Sequence, residues 1–184
     1  LKSKFEIITL DNLSRGYKKL INKSTKFIKA DIKNFKKIKK VIHVHKIDTV
    51  IHLAGYASVA ESMSKKKIYY QNNVIGTLNI LKACKNSSVR NFIFSSSCSI
   101  YGNVKDKVSE NNKPNPKSYY AFTKYESEKL IKKYAKINNF KFIILRYFNV
   151  AGASKSGNIG EIGNKNDRLI KNFATQYLKK NPKI

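Results

Sequence analysis

Five short apolar runs, separated by longer stretches that carry helical periodicity, constrain this chain more than any other feature. The runs fall at 5–10, 26–30, 49–53, 91–95 and 142–147 and are rich in Ile, Phe, Val and Leu. Between them, apolar residues recur at helical spacing over 34–45, 64–86 and 119–138. Strands that read as continuous apolar runs are typically buried on both faces, and parallel neighbours need a crossover long enough to hold a helix. The expected fold is therefore α/β, a doubly wound parallel sheet. Ligands of such sheets bind outside the carboxyl ends of the strands. That rule directs attention to Asp11-Asn12, Asp31-Ile32, Ala54-Gly55, Ser95 to Ser97 and Tyr147-Phe148-Asn149.

Charge points in a different direction. A formal charge of +27, from 38 Lys and Arg against 11 Asp and Glu, is the footprint expected of a polyanion binder. Only Arg15, Arg90, Arg146 and Arg168 are arginines, however, and the lysines are spread over every segment instead of forming a stripe. Nucleic-acid readers favour Arg for bidentate contacts. Asn and Ile are also abundant, and Lys, Asn and Ile are the residues of A/T-rich codons, so nucleotide bias in the genome is the favoured explanation. The competing reading, a Lys-rich nucleic-acid-binding module, needs aromatics interleaved on a basic face. Here the aromatics fall mainly in the strands and at motif positions.

Cys84 and Cys98 are isolated thiols that argue for a reducing compartment. His43, His45 and His52 lack metal-ligand spacing and read as structural, so no metal is expected. No apolar run reaches the roughly 18 residues of a membrane helix. The expectation is a cytoplasmic protein with neither a membrane nor a specific nucleic-acid partner. At 184 residues the chain can bury one sizeable core but is short for a two-domain enzyme.

The chemistry concentrates at Tyr120 and Lys124, with Ser95-Ser96-Ser97 just upstream at the end of an apolar run. Residues four apart share one helix face. A phenol with a free pKa of about 10 serves as a base near neutrality only where a cation favours its ionised form, and Lys124 is spaced to supply one. Alone, Tyr-x-x-x-Lys is a weak signal in a Lys-rich chain. The strand endings strengthen it. An acid closing a second strand, here Asp11, can accept hydrogen bonds from both ribose hydroxyls of an adenosine and repels a 2′-phosphate, which favours NAD over NADP. Asp31 could hold an adenine amino group, with Ile32 offering its backbone. Ala54-Gly55 lets a cofactor approach the main chain closely. Each has a plainer alternative: a turn acid for Asp11, an ordinary turn for Gly55, helix residues for Asn72 and Asn73, and solvated faces for Lys36-Lys37 and Lys65 to Lys67.

Taken in order, several strings resemble the extended short-chain dehydrogenase/reductase family, and within it the nucleotide-sugar 4-epimerases. They are Leu10-Asp11-Asn12-Leu13-Ser14, Ile51-His52-Leu53-Ala54-Gly55, Asn72-Asn73-Val74-Ile75-Gly76-Thr77, Phe94 to Ser97, Ile100-Tyr101-Gly102, Tyr120 to Lys124, Leu145-Arg146-Tyr147-Phe148-Asn149 and Ser156 to Glu161. The stretch Ile159-Gly160-Glu161 is the most specific to the epimerases. Dehydratases of the family typically carry Asp-Glu directly after their serine or threonine, where Cys98-Ser99 stands here. The resemblance implies NAD-dependent epimerisation at C4 of a UDP-hexose through a 4-keto intermediate, the UDP-glucose/UDP-galactose interconversion of galactose metabolism. Another nucleotide-sugar epimerase or a dehydratase is the alternative.

The resemblance also implies roles. Ser97, Tyr120 and Lys124 are the expected catalytic residues. Asp11, Asn12, Asp31, Ile32, Leu53, Ala54, Gly55, Asn72, Ser95, Tyr120, Lys124 and Tyr147 are expected to bind NAD. Ser97, Tyr120, Asn149 and Leu169 are expected to meet the UDP-sugar. Residues 1–150 would form an NAD-binding Rossmann-like domain lacking its first strand and glycine turn, and 151–184 the start of a substrate-binding region. The chain thus reads as an internal fragment that binds NAD poorly by itself. Ala57 stands where many epimerases place a lysine, and Arg168 where an Asn is common before Leu169. A homodimer through 64–86 and 119–138 is expected of the full-length protein.

Overall fold

The computed structural model describes residues 5–160, 162 and 169–178. Glu161 and Arg168, singled out above, lie outside the described residues. Two compact units divide the chain, Leu1–Phe148 and Asn149–Ile184.

In the first unit all five apolar runs form strands: β1 (Ile8–Asp11), β2 (Lys26–Lys29), β3 (Thr49–His52), β4 (Asn91–Ser97) and β5 (Lys141–Tyr147). Every pairing is parallel, so the carboxyl ends of the strands face one edge. The ladder differs from a single continuous sheet. β1 pairs with β2, and β3-β4-β5 form a second ladder, with no pairing of β1 to β3 among the described residues.

Register decides which side chains enter the core. His52, Phe94 and Ile144 form one row, and Ile51, Ile93 and Ile143 the adjacent row, which alternation sends to the opposite face. The first row packs with Phe92, Leu81, Ile131 and Ala135 beneath the helices α4 (Gly76–Ala83) and α5 (Tyr119–Asn138). Burial of each large apolar side chain there contributes roughly 1.5–3 kcal/mol. The second row stays open, with Ile51 61% and Ile143 55% exposed. The expectation of a sheet covered on both faces therefore holds for one face of this ladder within the unit.

Helix α1 (Phe35–Val44) starts where Asn34 accepts the Lys37 amide and buries Ile38, Val41 and Ile42. The stretch 64–86 is not one helix. It is preceded by α2 (Val59–Ser64), breaks at Lys65, resumes as α3 (Lys66–Tyr69), widens into a π-turn at Tyr70–Ile75 and continues as α4. The widened turn buries Asn72, Asn73 and Val74 consecutively. Helix α5 spans the residues its periodicity predicts. Ser118 caps it by accepting the Ala121 amide at 3.1 Å, and Asn139 closes it in the left-handed conformation. The second unit carries α6 (Leu169–Tyr177).

A buried ion pair fastens α5 to the sheet. The Arg146 guanidinium on β5 donates to both oxygens of Glu128, at 3.1 and 2.8 Å, and Ser96 on β4 donates to the same carboxylate at 2.5 Å. A third donation from Arg146 reaches the Tyr101 hydroxyl at 2.7 Å. Glu128 is fully buried and the Arg146 side chain is 14% exposed. Removing one partner of such a pair strands the other charge. Glu128→Ala is expected to cost about 3–5 kcal/mol of unfolding free energy, read as a lower urea midpoint at unchanged m-value. A loss under about 1 kcal/mol would show that the pair behaves as a solvated surface bridge.

Candidate active site

Helix α5 carries the central residues on one stripe. Tyr120, Lys124 and Glu128 recur every fourth position, so Glu128, bonded to β4 and β5, sets the height of the other two. At the start of the helix, the fully buried Ser62 of α2 accepts the Tyr120 amide at 3.0 Å. Lys124 is 5% exposed. Its ammonium donates to the Ser95 carbonyl at 2.8 Å and lies 4.9 Å from the Phe94 ring centroid and 5.9 Å from that of Tyr120. Burial pushes its pKa down to about 8, so the cation persists below about pH 8. Ser97 closes β4, its hydroxyl 2.8 Å from that of Ser99 and accepting the Ser99 amide.

Gly55 sits directly against this cation. A Cβ built there would lie 3.3 Å from Lys124 Nζ, which it would crowd, and in ordinary contact at 3.5 Å with Asn73 Oδ1. The loop after β3 is held by Asn73, whose amide bonds both the N–H and the C=O of Tyr56. Below it, His52 Nε2 is 2.8 Å from Thr77 Oγ1, while Thr77 donates its proton to the Asn73 carbonyl. His52 must then be the donor. Burial, with Lys124 nearby, pushes its pKa down to about 3 and keeps the ring neutral.

A cleft beside this loop gathers Asp11, Asn12, Ile32, Ala54 and Gly55, predicted from the strand ends, and Asn72, expected from the family resemblance. Asp11 Oδ1 accepts the Leu13 amide at 2.6 Å, while Gly16 packs so close to the carboxylate that a Cβ would stand 3.1 Å from Oδ2. Asn12 donates to Asp31 at 3.0 Å. Burial raises the Asp31 pKa, but the Lys33 amide and Asn12 outweigh it and leave the carboxyl below its ordinary value. Ile32 is buried against Gly76, where any Cβ would collide with it, and its carbonyl accepts from Asn79. Arg15 completes one wall. Its guanidinium lies 3.8 Å from the Tyr56 ring centroid and 2.7 Å from Glu61, and it holds the Glu61 carboxyl down to about 2.

Thus Lys124, Tyr120, Ser95 and Gly55 converge, and Asp11, Asn12 and Ile32 line the adjoining cleft, with Asp31 bonded to Asn12. Leu53 and Tyr147 are exposed at the ends of β3 and β5. Asn149 and Leu169 belong to the second unit, both exposed, Leu169 opening α6. Sequence reasoning missed Ser62, Asn73, Thr123 and the Glu128–Arg146 pair. Glu128 was detectable as the next step of the Tyr120–Lys124 stripe. Nothing in the spacing marked Ser62.

A parallel α/β unit with its strands joined by helices in this order has a Rossmann-like fold. The chain belongs to the NAD dependent epimerase/dehydratase family, whose sequence profile matches residues 1–184. It is 38% identical over 169 residues to a UDP-glucose 4-epimerase of Lactobacillus helveticus, covering 91% of this chain and 51% of the relative. A UDP-glucose 4-epimerase from Brucella ovis, crystallised in complex with NAD, superposes with a TM-score of 0.82 at 34% identity, over 86% of this chain and 49% of that one. A UDP-N-acetylglucosamine 4-epimerase from Methanobrevibacter ruminantium M1, in complex with UDP-N-acetylmuramic acid, gives 0.83 at 31%, over 94% and 55%. The chain spans about half the length of the curated relatives it matches.

His52 yields an acid-stability test. Its folded pKa lies below the unfolded value, so its contribution is present above about pH 6.5 and is lost as pH falls toward about 3. His52→Gln should flatten the drop in urea midpoint between pH 7 and pH 4. An identical drop in both proteins would show that the ring protonates without penalty.

Proposed function

We propose that this chain carries the cofactor-binding and base-bearing part of an NAD-dependent nucleotide-sugar 4-epimerase that interconverts UDP-glucose and UDP-galactose. The observation that carries the reading is the buried Lys124 ammonium set between Tyr120, the Ser95 carbonyl and the side-chain-free face of Gly55. The residues fit NAD: the cleft continuing from Gly55 leads to Asp11 at the end of β1, where ribose hydroxyls would be received. The named activities of the relatives support the same substrate class.

NAD, when bound, supplies an acceptor for the C4 hydride and hands the hydride back. Tyr120 Oη takes the proton of the sugar 4-hydroxyl, and Ser97 hydrogen-bonds the same hydroxyl. Lys124 would stabilise the phenolate by its charge and is one of the residues that would hold the nicotinamide ribose. A 4-ketopyranose would result, and after it turns in the pocket the hydride would return to its opposite face while Tyr120 gives the proton back to O4, inverting C4. Asn149 and Leu169 are assigned to the nucleotide-sugar side. A homodimer through 64–86 and 119–138 is the proposed assembly.

A second reading, epimerisation of N-acetylated sugars, is favoured by the likeness to a UDP-N-acetylglucosamine 4-epimerase. The dehydratase branch is disfavoured because Cys98-Ser99 replaces the Asp-Glu typical of it.

Positioned general bases contribute about 10²–10⁴-fold. In the full-length protein, Tyr120→Phe is expected to lower UDP-galactose turnover by that factor with NAD affinity little changed. Turnover near wild type in the variant would refute the assignment of Tyr120.

A further inference from the structure

We propose that Asn73 is a positioning residue that locks the loop after β3 to the helix bearing Tyr120 and Lys124. The inference deepens the proposed function, on which it rests for calling that loop a cofactor loop. A side-chain amide has two N–H groups and two acceptor lone pairs. All four are used at Asn73, which is 3% exposed. Oδ1 accepts from the Tyr56 N–H at 2.8 Å and from Asn72 Nδ2 at 3.1 Å. Nδ2 donates to the Tyr56 carbonyl at 3.0 Å and to Thr123 Oγ1 at 3.1 Å. Towards Tyr56 the amide thus behaves as a second backbone would, engaging donor and acceptor together.

The bonds continue past Asn73. Thr123 donates to the Tyr120 carbonyl at 2.7 Å, so a hydrogen-bonded path runs from the loop backbone to the residue assigned as base. The Asn73 carbonyl accepts from Thr77 on α4 and from Ser127 on α5. The π-turn makes this possible. Its extra residue per turn lets consecutive side chains face the interior, and π-bulges recur at functional sites.

A plain structural brace and a positioning residue differ in what happens at Lys124. A Cβ at Gly55 would lie 3.3 Å from Lys124 Nζ and 3.5 Å from Asn73 Oδ1, so the amide oxygen and the ammonium approach the same point beside the loop. The other groups set against Lys124 are His52 from β3, the Ser95 carbonyl and Phe94 ring from β4, and Tyr120 on its own helix. Asn73→Asp deletes both donors and adds a negative charge there. Asn73→Ser deletes the clamp without charge.

The test compares the parent protein with both variants in the absence of added cofactor, by amide hydrogen exchange at Tyr56 and by NMR titration of isotopically labelled Lys124. NAD affinity is then measured by calorimetry. In Asn73→Ser, which removes the acceptor of the Tyr56 N–H, that amide is expected to exchange about tenfold faster or more, while the amide of Phe92 in β4 keeps its rate. In Asn73→Asp the Lys124 midpoint should rise by about one unit or more from its parent value. Unchanged Tyr56 exchange in Asn73→Ser, or an unmoved Lys124 midpoint in Asn73→Asp, overturns the proposal. If the variants at 73 do not fold, Thr123→Val removes one of the four bonds at nearly constant volume. Faster Tyr56 exchange in that variant supports the clamp, and unchanged exchange refutes it. Should these readouts move while the full-length protein shows no NAD binding, the clamp stands and the cofactor reading falls.

Discussion

The rest of the site depends on one unfavourable act, the burial of the Lys124 ammonium. Desolvation of a cation is costly, and here it is offset by the Ser95 carbonyl and the face of Phe94. That compensation works only if α5 lies at a fixed height on β4. The Glu128 carboxylate, bonded to Ser96 and Arg146, sets the height from one end. Ser62, accepting the Tyr120 amide, fixes the other. The glycine at position 55 follows from the same constraint, since a side chain there would crowd the ammonium. Burial also tunes the group, pushing its pKa down to about 8. The cation therefore exists at neutral pH yet sits in surroundings where its field is little screened.

Much of the architecture was legible because it rests on local pattern. The five apolar runs became the five strands, and α5 has the limits its periodicity gives. The stretch 64–86 was read as one helix because apolar spacing records which face is buried and not how many residues make a turn. The break at Lys65 and the widened turn at Tyr70–Ile75 answer to tertiary demands, above all the pairing of Asn73 with the Tyr56 backbone. The separation of the strands into two ladders was invisible for a related reason. A continuous apolar run marks a buried strand without saying which neighbour its edge will find.

At the site, the residues legible in advance were those with a distinctive chemical type at a strand end or at helical spacing. Asp11, Gly55, Ser97, Tyr120 and Lys124 belong to this set. The residues that hold them are common ones, a serine on α2, an asparagine in a turn and a glutamate on a charged helix. Their identity as supports comes from contacts between elements far apart in sequence, such as Asn73 with Thr123. Asn12 and Asp31 show the converse. Both stand where an adenosine contact was expected, and the structure ties them to each other, Asn12 lining the cleft and Asp31 holding it in place.

In the function we propose, hydride leaves C4 of a UDP-sugar and returns to the same carbon with Tyr120 managing the hydroxyl proton. The most direct measurement uses UDP-galactose deuterated at C4, turned over by the full-length protein in ordinary water. The account predicts UDP-glucose that retains the deuterium at C4. UDP-glucose with hydrogen from solvent at that carbon, or no UDP-glucose at all, would contradict it.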